Sequence, residues 1–112
     1  MLHPALGDSP GHAHWKALCK NGPGGAAGLF SVVLDARFDP QKVDAFCDAL
    51  RVFRLGYSWG GPISLVVPYD LASMRTVWPR HLAEGTVVRF AIGLEAVEDL
   101  QADIDHALSA LR

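Results

Sequence analysis

The chain has 112 residues, 50% hydrophobic and 20% charged, with a formal net charge of −2. That length fits one domain, with enough apolar mass for a core and too little net charge for a disordered tail. Ten basic against 12 acidic side chains make no cationic field for nucleic acid, and no apolar run approaches the roughly 18 residues of a membrane span.

No basic segment leads an apolar stretch at the N-terminus, so no signal peptide is expected. Two cysteines, Cys19 and Cys47, cannot build a disulfide framework, and a reducing cytoplasm is the expected compartment.

Ser9-Pro10 predicts a helix start, with Ser9 as N-cap and Pro10 in the first turn, followed by Trp15, Leu18 and Cys19 on one face. The stretch Asn21-Gly22-Pro23-Gly24-Gly25 ends it. Leu29–Leu34 is a β-branched apolar run of strand length. Asp39-Pro40 starts a second helix, in which Val43, Phe46, Cys47 and Leu50 recur at helical spacing until near Arg51. Residues 52–58 and 63–67 read as short strands separated by Gly60-Gly61-Pro62, with Pro68 closing the second. Asp70 caps a short helix through Met74 that Pro79 stops, and residues 86–92 form the last strand. Val97, Leu100, Ile104, Leu108 and Leu111 stripe a final helix. Its acidic first turn (Glu98, Asp99) and terminal Arg112 suit the helix dipole. The expected class is α/β in the broad sense, a small α+β domain with a mostly antiparallel sheet of about four strands covered by helices.

Four features bear on chemistry. In Tyr57-Ser58-Trp59-Gly60-Gly61, two residues without Cβ follow an aromatic, so a backbone or ligand can approach a hydroxyl and an indole donor; the plainer reading is a strand end with an anchoring Trp. Arg89 stands in an apolar strand, on the face of Val87 and Ala91 and opposite Val88, Phe90 and Ile92. Its planar fork calls for a carboxylate or phosphate, unless that face is wet or an internal acid such as Glu95 pairs with it. His12, His14 and Cys19 lack metal-ligand spacing, so surface histidines and a small buried thiol are expected, and no metal. Residues 22–28 are glycine-rich but lack the Gly-Lys-Ser/Thr ending of a phosphate loop and lead into a strand.

Taken together, His3-Pro4-Ala5-Leu6, Gly11-His12, Trp15-Lys16, Gly28-Leu29-Phe30-Ser31, Tyr57-Ser58-Trp59-Gly60-Gly61, Ser64-Leu65 and Val88-Arg89-Phe90-Ala91-Ile92-Gly93-Leu94-Glu95 resemble one family in collinear order. The resemblance is to the C-terminal domain of the cystathionine β-lyase branch of the pyridoxal-phosphate-dependent Cys/Met metabolism (trans-sulfuration, fold type I) enzymes, and runs from about residue 3 to residue 111. Trp59 resembles the β-lyase branch, where the γ-synthase and γ-lyase branches usually carry leucine.

The resemblance implies that Arg89 clamps a substrate α-carboxylate, that Ser58 helps to position that carboxylate and the catalytic lysine, and that Trp59 borders the same carboxylate. It implies cleavage of cystathionine to homocysteine, pyruvate and ammonia by the whole enzyme, with pyridoxal 5'-phosphate as cofactor. The family's Schiff-base lysine lies in a large domain that has no counterpart here, since Lys16, Lys20 and Lys42 are in other contexts. Residues 1–112 are therefore expected to be a single C-terminal-type domain that binds no cofactor by itself, contributes no catalytic residue and is inactive alone. The expected partners are a cystathionine-like sulfur amino acid and either the missing large domain or further copies of the chain. The alternative is a stand-alone, non-catalytic binding or interaction relic of the family.

Overall fold

The computed structural model describes residues 1–19, 25–77, 79, 82 and 85–112. A four-stranded sheet organises them in the order β1-β4-β3-β2, where β1 is Leu29–Leu34, β2 Arg54–Leu55, β3 Leu65–Tyr69 and β4 Thr86–Ala91. β4 pairs antiparallel with β1 and β3, whereas β2 runs parallel to β3. The sheet is thus mixed and mostly antiparallel, flanked by helices, the architecture of the fold-type I C-terminal domain.

Register separates the two faces. Val88 is paired with Val32 and Pro68, and Phe90 with Phe30 and Val66, so these side chains share one face. Helix α2 (Pro40–Ala49) and helix α4 (Val97–Ala107) cover it. Val43, Phe46, Cys47, Leu50, Phe53, Leu100, Ala107 and Leu111 complete a single core. Phe90 stacks on Phe30 with centroids 5.2 Å apart and meets Phe53 edge-on at 5.3 Å. Inside this core the Cys47 thiol is pushed up to about 11, by burial first and then by Asp44 and Asp48, which leaves it an inert apolar group. The opposite face carries Arg89, level with Ser31 and Val67, and Val87, level with Val33 and Tyr69.

The second helix starts as its sequence predicts: the Asp39 carboxylate accepts from the Lys42 N–H at 2.8 Å, with Pro40 at the first position. Asp70 likewise caps α3, Leu71–Met74, but extended backbone at Arg75 ends this helix well before Pro79. The stripe on α4 continues through a 3-10 turn, Leu108–Leu111; Val97 at its start is exposed.

Three expectations are corrected. The first helix, α1, is His12–Leu18 and is capped by Gly11, not Ser9. Ser9 O accepts from His12 N at 3.0 Å across Pro10 and a Gly11 with φ 94°. That is a type II turn, which needs Pro second and a left-handed residue third. The face of Trp15, Leu18 and Cys19 is not buried, and Leu18 is 86% exposed.

The expected strand over residues 52–58 is reduced to Arg54–Leu55. Asp103 holds the Arg51, Val52 and Phe53 N–H groups at 2.7–3.0 Å, which removes them from any ladder. Finally, Pro68 lies inside β3 instead of closing it. The Ser64 and Val66 carbonyls face β2, so the Pro68 nitrogen points to the same side, where β2 has already ended and no donor is needed. The glycine-rich stretch at residues 20–24 lies outside the described residues, as does Trp78.

Candidate substrate-binding site

β2 and β3 are parallel neighbours in sequence, so the chain between them must return along the sheet before it can pair again. Residues 56–64 make that return without a helix. This loop contains Tyr57-Ser58-Trp59-Gly60-Gly61, and it passes over the face that carries Arg89. The Arg89 Nη2 donates to Tyr57 O at 2.6 Å and, at a longer 3.4 Å, to Ser58 O. Its Cζ lies 5.6 Å from the Trp59 ring centroid and 5.7 Å from that of Tyr69, within cation–π range of both. Tyr57 and Tyr69 meet edge-on at 6.4 Å.

Arg89 is half-buried, and its hydrogen bonds to described residues go to carbonyls and not to an acid. A planar guanidinium framed by aromatic rings and held at one nitrogen keeps a fixed plane, and its other N–H groups make no bond to a described residue. Such a fork suits bidentate pairing with a carboxylate. Trp59 is 63% exposed beside it. Ser58 is exposed; its carbonyl reaches Arg89, and its hydroxyl has no partner among the described residues.

The internal pairing of Arg89 with Glu95 does not occur. Glu95 accepts from the Ser64 N–H and the Ser64 hydroxyl, each at 2.7 Å, and these two bonds hold its carboxyl below the ordinary carboxylate range. Nor do the two loop glycines serve a close approach within the chain, since a Cβ at either would meet nothing within 4 Å. Gly60 is required instead by its φ of 73°.

The other sequence candidates lie apart from this cluster. His12 faces the Pro4 carbonyl at 2.9 Å and stacks on Trp15. Among the described residues, no group of three His, Cys, Asp or Glu side chains could hold a metal, and no helix is long and apolar enough to cross a membrane.

Two participants escape a sequence reading. Tyr69 joins Arg89 only through the pairing of β3 with β4, and Tyr57 contributes its backbone oxygen, which no side-chain pattern reveals. Strand alternation in β3 was the available signal for Tyr69, but choosing its face needs the register.

Comparison with known proteins decides the lineage. The model of the Cys/Met metabolism PLP-dependent enzymes matches residues 1–109. The chain belongs to this family. The cystathionine β-lyase of Salmonella typhimurium is 41% identical over 105 residues, covering 91% of this chain and 25% of that protein. An L-alanine/L-glutamate racemase of Wolbachia pipientis is 37% identical over 111 residues, 99% of this chain and 27% of that protein. Among solved structures, cystathionine γ-synthase of Xanthomonas oryzae in complex with cystathionine superposes with a TM-score of 0.70 at 32% identity, over 97% of this chain and 28% of that one. The chain therefore spans about a quarter of the length of these relatives.

The family is PLP-dependent, and among the described residues no lysine bonds to the groups around Arg89. Lys16 is exposed on α1, and Lys42 donates its Nζ to the Arg112 carbonyl at 3.3 Å. Neither joins the groups around Arg89, and Lys20 lies outside the described residues.

Proposed function

We propose that this chain is the substrate-clamping, C-terminal-type domain of a carbon–sulfur β-lyase resembling cystathionine β-lyase, working with a cofactor-bearing large domain supplied by other residues. Arg89 takes the α-carboxylate of the amino-acid substrate, Trp59 walls the guanidinium, and the Ser58 hydroxyl borders the carboxylate. One observation carries the reading: Arg89 is oriented by Tyr57 O, Trp59 and Tyr69, with no acid among the described residues paired to it.

The relatives support the ligand class. Alanine, glutamate and cystathionine, named for the racemase, the lyase and the synthase complex, share an α-carboxylate. A bidentate clamp fixes both the position and the plane of such a substrate, which sets which of its bonds is presented for reaction. Trp59 and the Salmonella relative favour β-elimination over racemisation as the reaction served.

The test is reassembly. Mixed with a separately produced cofactor-bearing domain of a β-lyase relative, the wild-type chain is expected to restore pyruvate release from cystathionine. Arg89→Ala should then lower kcat/KM by about a hundredfold, the scale of losing a charge-assisted pair. Equal turnover by wild type and Arg89→Ala would sink the clamp. Racemisation of alanine without pyruvate release would reassign the reaction.

A further inference from the structure

Ser64 is fully buried, and every polar group it has is engaged. Its N–H and hydroxyl donate to the two oxygens of Glu95, and its Oγ accepts from Gly93 N at 2.8 Å. Its carbonyl accepts from Arg54 N at 2.9 Å, at the other end of the loop. Pro62 O accepts from Leu94 N at 2.9 Å. Gly93 sits so tightly under the Pro62 carbonyl and Ile63 that a Cβ there would have no room. Ser64, at the exit of the 56–64 loop, thus ties that exit both to β2, from which the loop departs, and to the segment that leaves β4. The segment 89–95 supplies both the guanidinium and, six residues on, the carboxylate that anchors the loop lying over it.

We propose that Ser64 and Glu95 are a positioning pair for Arg89: their bonds hold the loop so that Tyr57 O and the Trp59 ring fix the plane of the guanidinium. The proposal rests on the clamp reading of Arg89 and adds to it the device that orients the clamp. Glu95 reaches no substrate in this role and acts through Ser64 and the loop. Both oxygens are in use, which explains why an acid six residues from Arg89 does not quench it by direct pairing.

The experiment is NMR on the 112-residue chain with Glu95→Ala, Ser64→Ala and Glu95→Gln. In the wild type, Trp59 ring protons should show cross-relaxation to the Arg89 side chain. Both alanine variants are expected to lose these signals while the amide resonances of β1 and β4 stay in place. Glu95→Gln should retain them, because its amide oxygen still accepts the Ser64 N–H and its NH2 can donate to Oγ.

Retention of the Trp59–Arg89 signals in both alanine variants would overturn the pair. So would loss of all folded resonances in both, since the bonds would then serve general stability and not the loop. Titration with L-alanine as a carboxylate probe reads the underlying clamp separately. Glu95→Ala should bind it about tenfold more weakly than wild type. A wild-type chain whose Arg89 resonances ignore L-alanine fails the clamp reading, while the cross-relaxation result still decides the positioning pair.

Discussion

Two charged side chains, Arg89 and Asp103, meet opposite treatment on the two sides of the sheet. Arg89 has N–H groups with no partner among the described residues, whereas Asp103 on α4 is 5% exposed and accepts three backbone N–H groups, from Arg51, Val52 and Phe53. Burial alone would push the Asp103 carboxyl up. The three N–H bonds, from Arg51, Phe53 and Val52, with the nearby His106, outweigh it and hold the carboxyl below its ordinary value. Asp103→Asn keeps the shape but turns an amide NH2 toward one or two of those donors. It is expected to cost about 2–3 kcal/mol in urea unfolding at neutral pH. Because the folded-state carboxyl is depressed, its stabilisation is present above the unfolded carboxylate range and is lost as pH falls through the lowered folded value. The gap between wild type and Asp103→Asn should therefore narrow as the pH is taken below the ordinary carboxylate range. A gap independent of pH would mean that the charge is not what the three donors need.

At the scale of elements, what could be read from sequence depended on whether local chemistry or a distant partner decided the outcome. Asp39-Pro40 and the recurrence of Val43, Phe46 and Cys47 specify α2 by themselves, and the structure places all three side chains in the core. Removing the cap by Asp39→Ala is expected to lower stability by about 1 kcal/mol, measured as a shift of the urea midpoint at constant slope. No change would show that Pro40 and the core contacts hold the helix start unaided. The run 52–58, by contrast, has strand-forming side chains, but Asp103, some 50 residues away, takes the N–H groups at its start and Arg89 takes carbonyls at its end. Neither claim on the backbone is visible in the run itself. The same holds for the site: Arg89 and Trp59 stand out as a lone cation in an apolar strand and an aromatic before two glycines, while Tyr69, Ser64 and the role of Glu95 emerge only from the register of β3 and β4. Pro68 misleads because its missing donor forbids a strand only where a neighbour would use it.

For the whole molecule, the radius of gyration of 14.8 Å exceeds the roughly 13 Å expected of a close-packed chain this long, and the extents are 42 × 36 × 24 Å. The helices α2 and α4 shield one sheet face, and the loop covers only part of the other. Around that loop and the exit of β4, Leu55, Tyr57, Trp59, Ile63 and Leu94 are all more than half exposed. A net charge of −2 gives little electrostatic repulsion to keep copies apart. Exposed apolar side chains with so little repulsion should bring copies together through this region as concentration rises. Sedimentation velocity of the 112-residue chain is expected to show association that grows with concentration. The double variant Ile63→Lys, Leu94→Lys should shift the population toward monomer without lowering the thermal midpoint, because both side chains already face solvent. Ile63 and Leu94 flank the Ser64–Glu95 bonds but do not make them, so the Trp59–Arg89 cross-relaxation should persist in the same variant. Identical sedimentation of the parent and the double variant at every concentration would place the association surface elsewhere, with α1 and its exposed Leu18 as the next region to alter.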